Sequence, residues 1–200
     1  MSWSLGEVRS LCIKASRGAG FSWGLAEEIG FAVARLEKNK LNGVEALTKY
    51  LLFREKNNII KNKIYRKIYC PILLGTMISD TQKLSSINLK FVYQPLLVIP
   101  FLDTNLVNQN QMVMYGSCKF SFLNSYIIAE ACEKNLIKSS SQYFIQKSSI
   151  TNICRYNKKR VPNKNMPYIN ILNDFAFKTY APSTEESRTK GAGGGADIDD

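Results

Sequence analysis

Apolar positions recur with helical spacing from the first residues of the chain. Leu5, Val8, Leu11, Cys12 and Ala15 fall on one face of a helix that runs to about Ser16. Ser4-Leu-Gly-Glu7 is a capping box: the serine oxygen takes an orphan amide, and Glu7 reaches back to the cap. Gly18-Ala-Gly20 ends this helix. Ser22 offers a second cap, and Leu25, Ala26, Ile29, Val33 and Leu36 line a second helix ending near Lys38. Asn42 with Glu45 opens a third, short helix through Leu52. Arg54 to Lys67 then carries six bases and one acid with isoleucines interleaved, and fits either a basic-faced helix or a turn at Asn57-Asn58.

From Tyr69 the texture changes. Cys70 to Asp80 is an apolar run that fits a buried helix or a strand. Leu89 to Tyr93 reads as a strand, and Pro95 to Leu102 as another strand or a strand leading into a helix. Met112 to Tyr115, Phe120 to Ala129 and Gln142 to Ile153 are β-branched and aromatic enough for further strands. Ile169, Leu172, Phe175 and Ala176 return to helical spacing within Met166 to Tyr180, with Pro167 in the first turn. The expected fold class is therefore α+β: an N-terminal helical segment, a β-rich middle and a C-terminal helix with a glycine-rich acidic tail. One domain is expected over residues 1–184 (helical 1–53, β-rich 69–160, helix 166–180), followed by a Gly/Asp tail over 185–200.

Composition narrows the chemistry. The 200 residues include no histidine, which excludes a Ser-His-Asp triad, a Cys-His dyad and any histidine metal site from this chain. The five cysteines form no CxxC pair, so zinc ribbons and thioredoxin-like redox pairs are unsupported, and they read as buried reduced thiols. The longest apolar run, Phe91 to Leu102, is shorter than the roughly 20 residues a membrane helix needs. With no signal-peptide pattern at the start, a cytoplasmic protein without a membrane partner is expected. The formal charge is +11. Excess lysine, asparagine and isoleucine explain it as A/T-rich codon usage. A nucleic-acid partner is the competing explanation, through the acid-free Lys134–Lys164 stretch, but no recognised nucleic-acid motif supports it. The basic body contrasts with five acids and two bases from Glu185 to Asp200.

Three places carry candidate chemistry. Arg17-Gly18-Ala-Gly20 leads into a helix, where backbone amides and the helix dipole favour an anion and Arg17 adds a bidentate contact. A plain helix–turn–helix hinge accounts for the same residues. Glu27 and Glu28 lie inside that helix, 100° apart, so that one faces inward as a general base; two solvated acids complementing the dipole are the alternative. The tail aspartates suit a hard divalent cation by ligand type but lack calcium-loop spacing, so no metal site is assigned. No cofactor is indicated.

Ser4-Leu-Gly-Glu-Val8, Arg17-Gly-Ala-Gly20, Trp23-Gly-Leu-Ala-Glu-Glu28, Cys70-Pro-Ile-Leu-Leu-Gly75 with Ser79-Asp80, Thr179-Tyr-Ala-Pro182, Glu186-Ser-Arg188, Gly191-Ala-Gly193 and Asp199-Asp200 together resemble an uncharacterised proteobacterial family, the domain of unknown function 3726. The resemblance runs nearly end to end, with its specific motifs at the two extremities. That family closes on Asp-Asn-Asp where this chain has Asp-Ile-Asp-Asp, and it brings no assigned activity. It implies a functional tail, and hence a site in which Arg17, Gly18, Gly20 and Asp80 bind ligand with Glu186, Ser187, Arg188, Asp199 and Asp200, and in which Glu27 or Glu28 is catalytic. The leading expectation is a binding domain or enzyme for an anionic small molecule. A non-catalytic interaction protein, including a homo-oligomer docking through its tail, is the alternative.

Overall fold

The computed structural model describes residues 2–59, 64–65, 68–80, 92–102, 111–115, 118–123, 126–130, 143–147, 160–161 and 165–180. Five α-helices dominate it: α1 (Leu5–Gly18), α2 (Trp23–Lys38), α3 (Gly43–Lys56), α4 (Pro71–Asp80) and α5 (Met166–Phe177). The capping box forms as its residues predict. The Ser4 Oγ accepts from the Glu7 amide at 3.1 Å, and the Ser4 amide donates to the Glu7 carboxylate at 2.6 Å. Val8, Leu11, Cys12 and Ala15 bury the inner face of α1. Helix α2 runs back beside it and buries Ala26, Ile29, Ala32, Val33 and Leu36. The two approach closely because Gly30 has no side chain: a Cβ there would stand 2.5 Å from Ile13 Cγ1. Helix α5 closes the other side of α1 with Ile169, Leu172, Phe175 and Ala176.

The two other expected caps are corrected. Neither Ser22 nor Asn42 makes a side-chain cap bond. At the start of α3 the role passes to Glu37, from the end of α2. Its buried carboxylate accepts from the Val44 amide at 3.0 Å, and an anion at a helix N-terminus is favoured there. Helix α3 also extends past the expected Leu52 to Lys56, before a turn at Asn57 and Asn58.

The α+β class with a β-rich middle is likewise corrected: the described residues are mostly helical. The apolar stretch that opens the middle forms α4, the helical alternative for Cys70 to Asp80, and two 3-10 turns, Pro95–Leu97 and Ile99–Leu102, where a strand was expected. Prolines explain this. Pro71, Pro95 and Pro100 cannot donate to a β-ladder, whereas a helical first turn leaves that donor unused anyway. Val92 makes one isolated bridge to Tyr69. Short antiparallel pairs join β1 (Trp3–Ser4) to β8 (Arg160–Val161) and β2 (Ile64–Tyr65) to β3 (Ile68–Tyr69). Farther along, the backbones of β4 (Gln111–Tyr115), β5 (Cys118–Leu123), β6 (Tyr126–Glu130) and β7 (Tyr143–Lys147) pair antiparallel in the order β6-β5-β4-β7. Of the strand side chains described there, Phe120, Phe122 and Ile127 are buried in the core. The Ile127 amide donates to Asn39 Oδ1 at 3.2 Å, tying these strands to the end of α2. Most of the buried apolar side chains come from the helices and the 3-10 turns.

Candidate functional site

Among the described residues, those singled out in the sequence are divided: Gly18 and Gly20 border one pocket and Glu28 another. Arg17 ends α1, donates to the Phe21 carbonyl and lies 4.7 Å over the Trp23 ring, so it braces the turn into α2. Gly18 is a packing glycine: a Cβ there would stand 1.8 Å from the Phe175 carbonyl oxygen. Gly20 takes φ +87°, a left-handed conformation that closes the turn at little cost without a side chain. Glu27 and Glu28 are both exposed, which corrects the expectation of one inward carboxylate. Asp80 is exposed at the end of α4. Glu186, Ser187, Arg188, Asp199 and Asp200 lie outside the described residues, as does most of the Lys134–Lys164 stretch.

A cavity of about 310 Å³ does adjoin the Gly18–Gly20 turn, with Arg54, Glu55, Asn58 and Lys178 around it. It lies where α1, α3 and α5 all end. Helix C-termini carry partial negative charge, so this place favours cations. The chain supplies them: Arg54 stacks over Phe21 at 4.2 Å, and Lys178 pairs with Glu55. The arrangement is a helix junction whose partial negative charge is met by cationic side chains.

A larger groove, about 410 Å³, opens between α2, α4 and the second 3-10 turn. This lies within the range of small-molecule pockets. Glu28, Phe31, Arg35 and Lys38 line it from α2, spaced three or four residues apart and so on one stripe of the helix. Leu5, Ala32, Pro100 and Phe101 supply apolar wall, and Ser79 joins from α4. Two polar residues are held in place. The Arg35 guanidinium donates to the Pro100 carbonyl at 3.2 Å, and burial lowers its pKa below the ordinary arginine value. The Arg9 guanidinium stacks 3.5 Å from the Phe31 ring centre and fixes that ring at the groove's edge. The wall below α4 is tight because Gly75 lies against Phe101: a Cβ would meet the ring at 2.3 Å. Of the sequence candidates Glu28 reaches this groove, and Asp80 follows the Ser79 that lines it. Nothing in the sequence marks Arg35, Lys38 and Phe31 as a site beyond their spacing from Glu28, a signal obscured because charged residues on a helix flank ordinarily read as solvated.

Among the described residues no group of three or more His, Cys, Asp or Glu residues is placed to hold a metal ion, and no helix is long and apolar enough to cross a membrane.

The groove and the turn both draw on the helices that open the chain, and the family comparison falls on the same segment. Residues 3–70 match the family described as Protein of unknown function (DUF3726). The match takes in the Ser4–Val8, Arg17–Gly20 and Trp23–Glu28 motifs and ends at Cys70; the motifs from Thr179 onward lie beyond it. No curated protein and no solved structure matches the chain.

Proposed function

We propose that the helical core binds a small organic anion with an apolar body in the groove along α2. The observation that carries this reading is the alignment of Phe31, Arg35 and Lys38 on one stripe, facing an apolar wall that includes Phe101. Apolar surface supplies affinity, and a positioned guanidinium orients a carboxylate or phosphate. Arg35 is anchored at Pro100, so little side-chain freedom is lost when it takes a ligand. Calorimetric titration of the protein with decanoate and with decanamide tests the reading. Decanoate binding at least tenfold tighter than the amide supports it, as does weakening of decanoate by Lys38→Gln and more strongly by Arg35→Gln. Equal binding of acid and amide overturns it.

A second reading, self-association, has its own observation. Phe177 and Tyr180 are 67% and 58% exposed, with ring centres 5.8 Å apart, at the edge of a groove between α1 and α5 that includes Trp3. Adjacent exposed aromatics mark interaction surfaces. A dimer in size-exclusion chromatography that Phe177→Ser and Tyr180→Ser together convert to monomer supports this reading; a monomeric wild type removes it.

A further inference from the structure

We infer that the ligand of the α2 groove is a zwitterion: a short apolar peptide of about three residues with both termini free, its carboxylate at Arg35 and Lys38 and its amine at Glu28. This rests on the proposed anion site and goes further by assigning the opposite end. Along the groove face of α2 the order is acid, aromatic, base, base. The helix dipole accounts for the bases, which sit in the last turn of α2. It does not account for the acid. Glu28 is the sixth residue of a helix that begins at Trp23, beyond the first turn in which a negative charge gains from the dipole.

Two helical turns separate Glu28 from Arg35, a rise of about 10 Å, which is too far for the two side chains' α-carbons to serve a direct i,i+4 pair. An extended peptide of three residues spans about 10 Å. Its termini therefore reach both charges while its side chains cover Phe31 and Phe101. A simple fatty anion lying the same way would bring only hydrocarbon to the Glu28 carboxylate and partly desolvate it.

Trileucine, N-acetyl-trileucine and decanoate, titrated calorimetrically into the full-length wild type and Glu28→Gln, test the assignment. Glu28 is exposed, so its pairing with an amine is worth at most about fivefold. Trileucine is expected to bind the wild type about threefold tighter than its N-acetyl form, and Glu28→Gln is expected to abolish that difference while binding decanoate at least as tightly as the wild type does. Equal binding of trileucine and its acetylated form by the wild type overturns the zwitterion assignment, as does an acetylation effect that survives Glu28→Gln. Binding of decanoate but of neither peptide overturns the assignment and leaves the anion site standing. Failure of every carboxylate to bind removes both. A melting curve of Glu28→Gln superimposable on wild type confirms that the comparison is made on intact protein.

Discussion

Single residues in the core set sharp limits. Gly18 lies under the last turn of α5, where a methyl group would overlap the Phe175 carbonyl. Gly18→Ala is expected to force the two helices apart and cost about 1–3 kcal/mol, lowering the midpoint of a circular-dichroism melt by about 2–12 °C. Cys12 makes a different kind of statement. Burial, reinforced by the charge of Glu37, pushes its thiol well above the ordinary value of 9.0. The unfolded chain ionises there first. The stabilising contribution is therefore fully present below pH 9.0 and is lost as pH rises above it, by about 1.4 kcal/mol per pH unit. Urea midpoints measured from pH 8 to pH 10 are expected to fall more steeply for wild type than for Cys12→Ala. Tyr50, also raised by burial and then by its neighbour Cys70, adds to the wild-type slope above 10.0 in the same direction.

At the scale of elements, one helix is started by its neighbour. Removing the Glu37 carboxylate leaves the Val44 amide buried without that acceptor. Glu37→Ala is expected to cost about 1–3 kcal/mol and to raise hydrogen exchange at the first amides of α3 more than elsewhere. This cap was not legible in the sequence. Asn42 sits at the expected position, and nothing in its spacing shows that a side chain five residues upstream will occupy the amide first. By contrast, α1, α2 and α5 were legible because each has a clean apolar face and α1 and α5 carry a cap or proline at the start. The run from Pro95 to Leu102 misread as strand because a short continuous apolar segment has no period to distinguish states. Its two prolines were the better guide. At the site, Glu28 was legible as chemistry because it and Glu27 stand alone as charges in the first half of α2. Arg35 and Lys38 looked like ordinary last-turn bases until α4 and the 3-10 turn covered one side of them.

At the scale of the molecule, the physical unit and the family segment differ. The family match ends at residue 70, yet the inner face of α1 is covered by α5, which begins at Met166. Without α5, Val8, Leu11 and Ala15 lose one wall. A chain ending before Met166 is expected to lose cooperative thermal unfolding and to bind the dye ANS, whereas the full chain melts in a single transition. Leu172→Ala, which removes a fully buried side chain from the same contact, is expected to cost about 2–5 kcal/mol while keeping that single transition.

The embrace of α1 by α5 also dictates when this protein can become itself. During synthesis the opening hairpin leaves the ribosome long before its final cover has been translated, so for most of that interval its greasy side is open to whatever it meets. Native packing around α1 has to wait until α5 has been translated, by a slow closure of distant sequence. Holdase chaperones and a cooler growth temperature should therefore raise the soluble yield more than any improvement to the early helices.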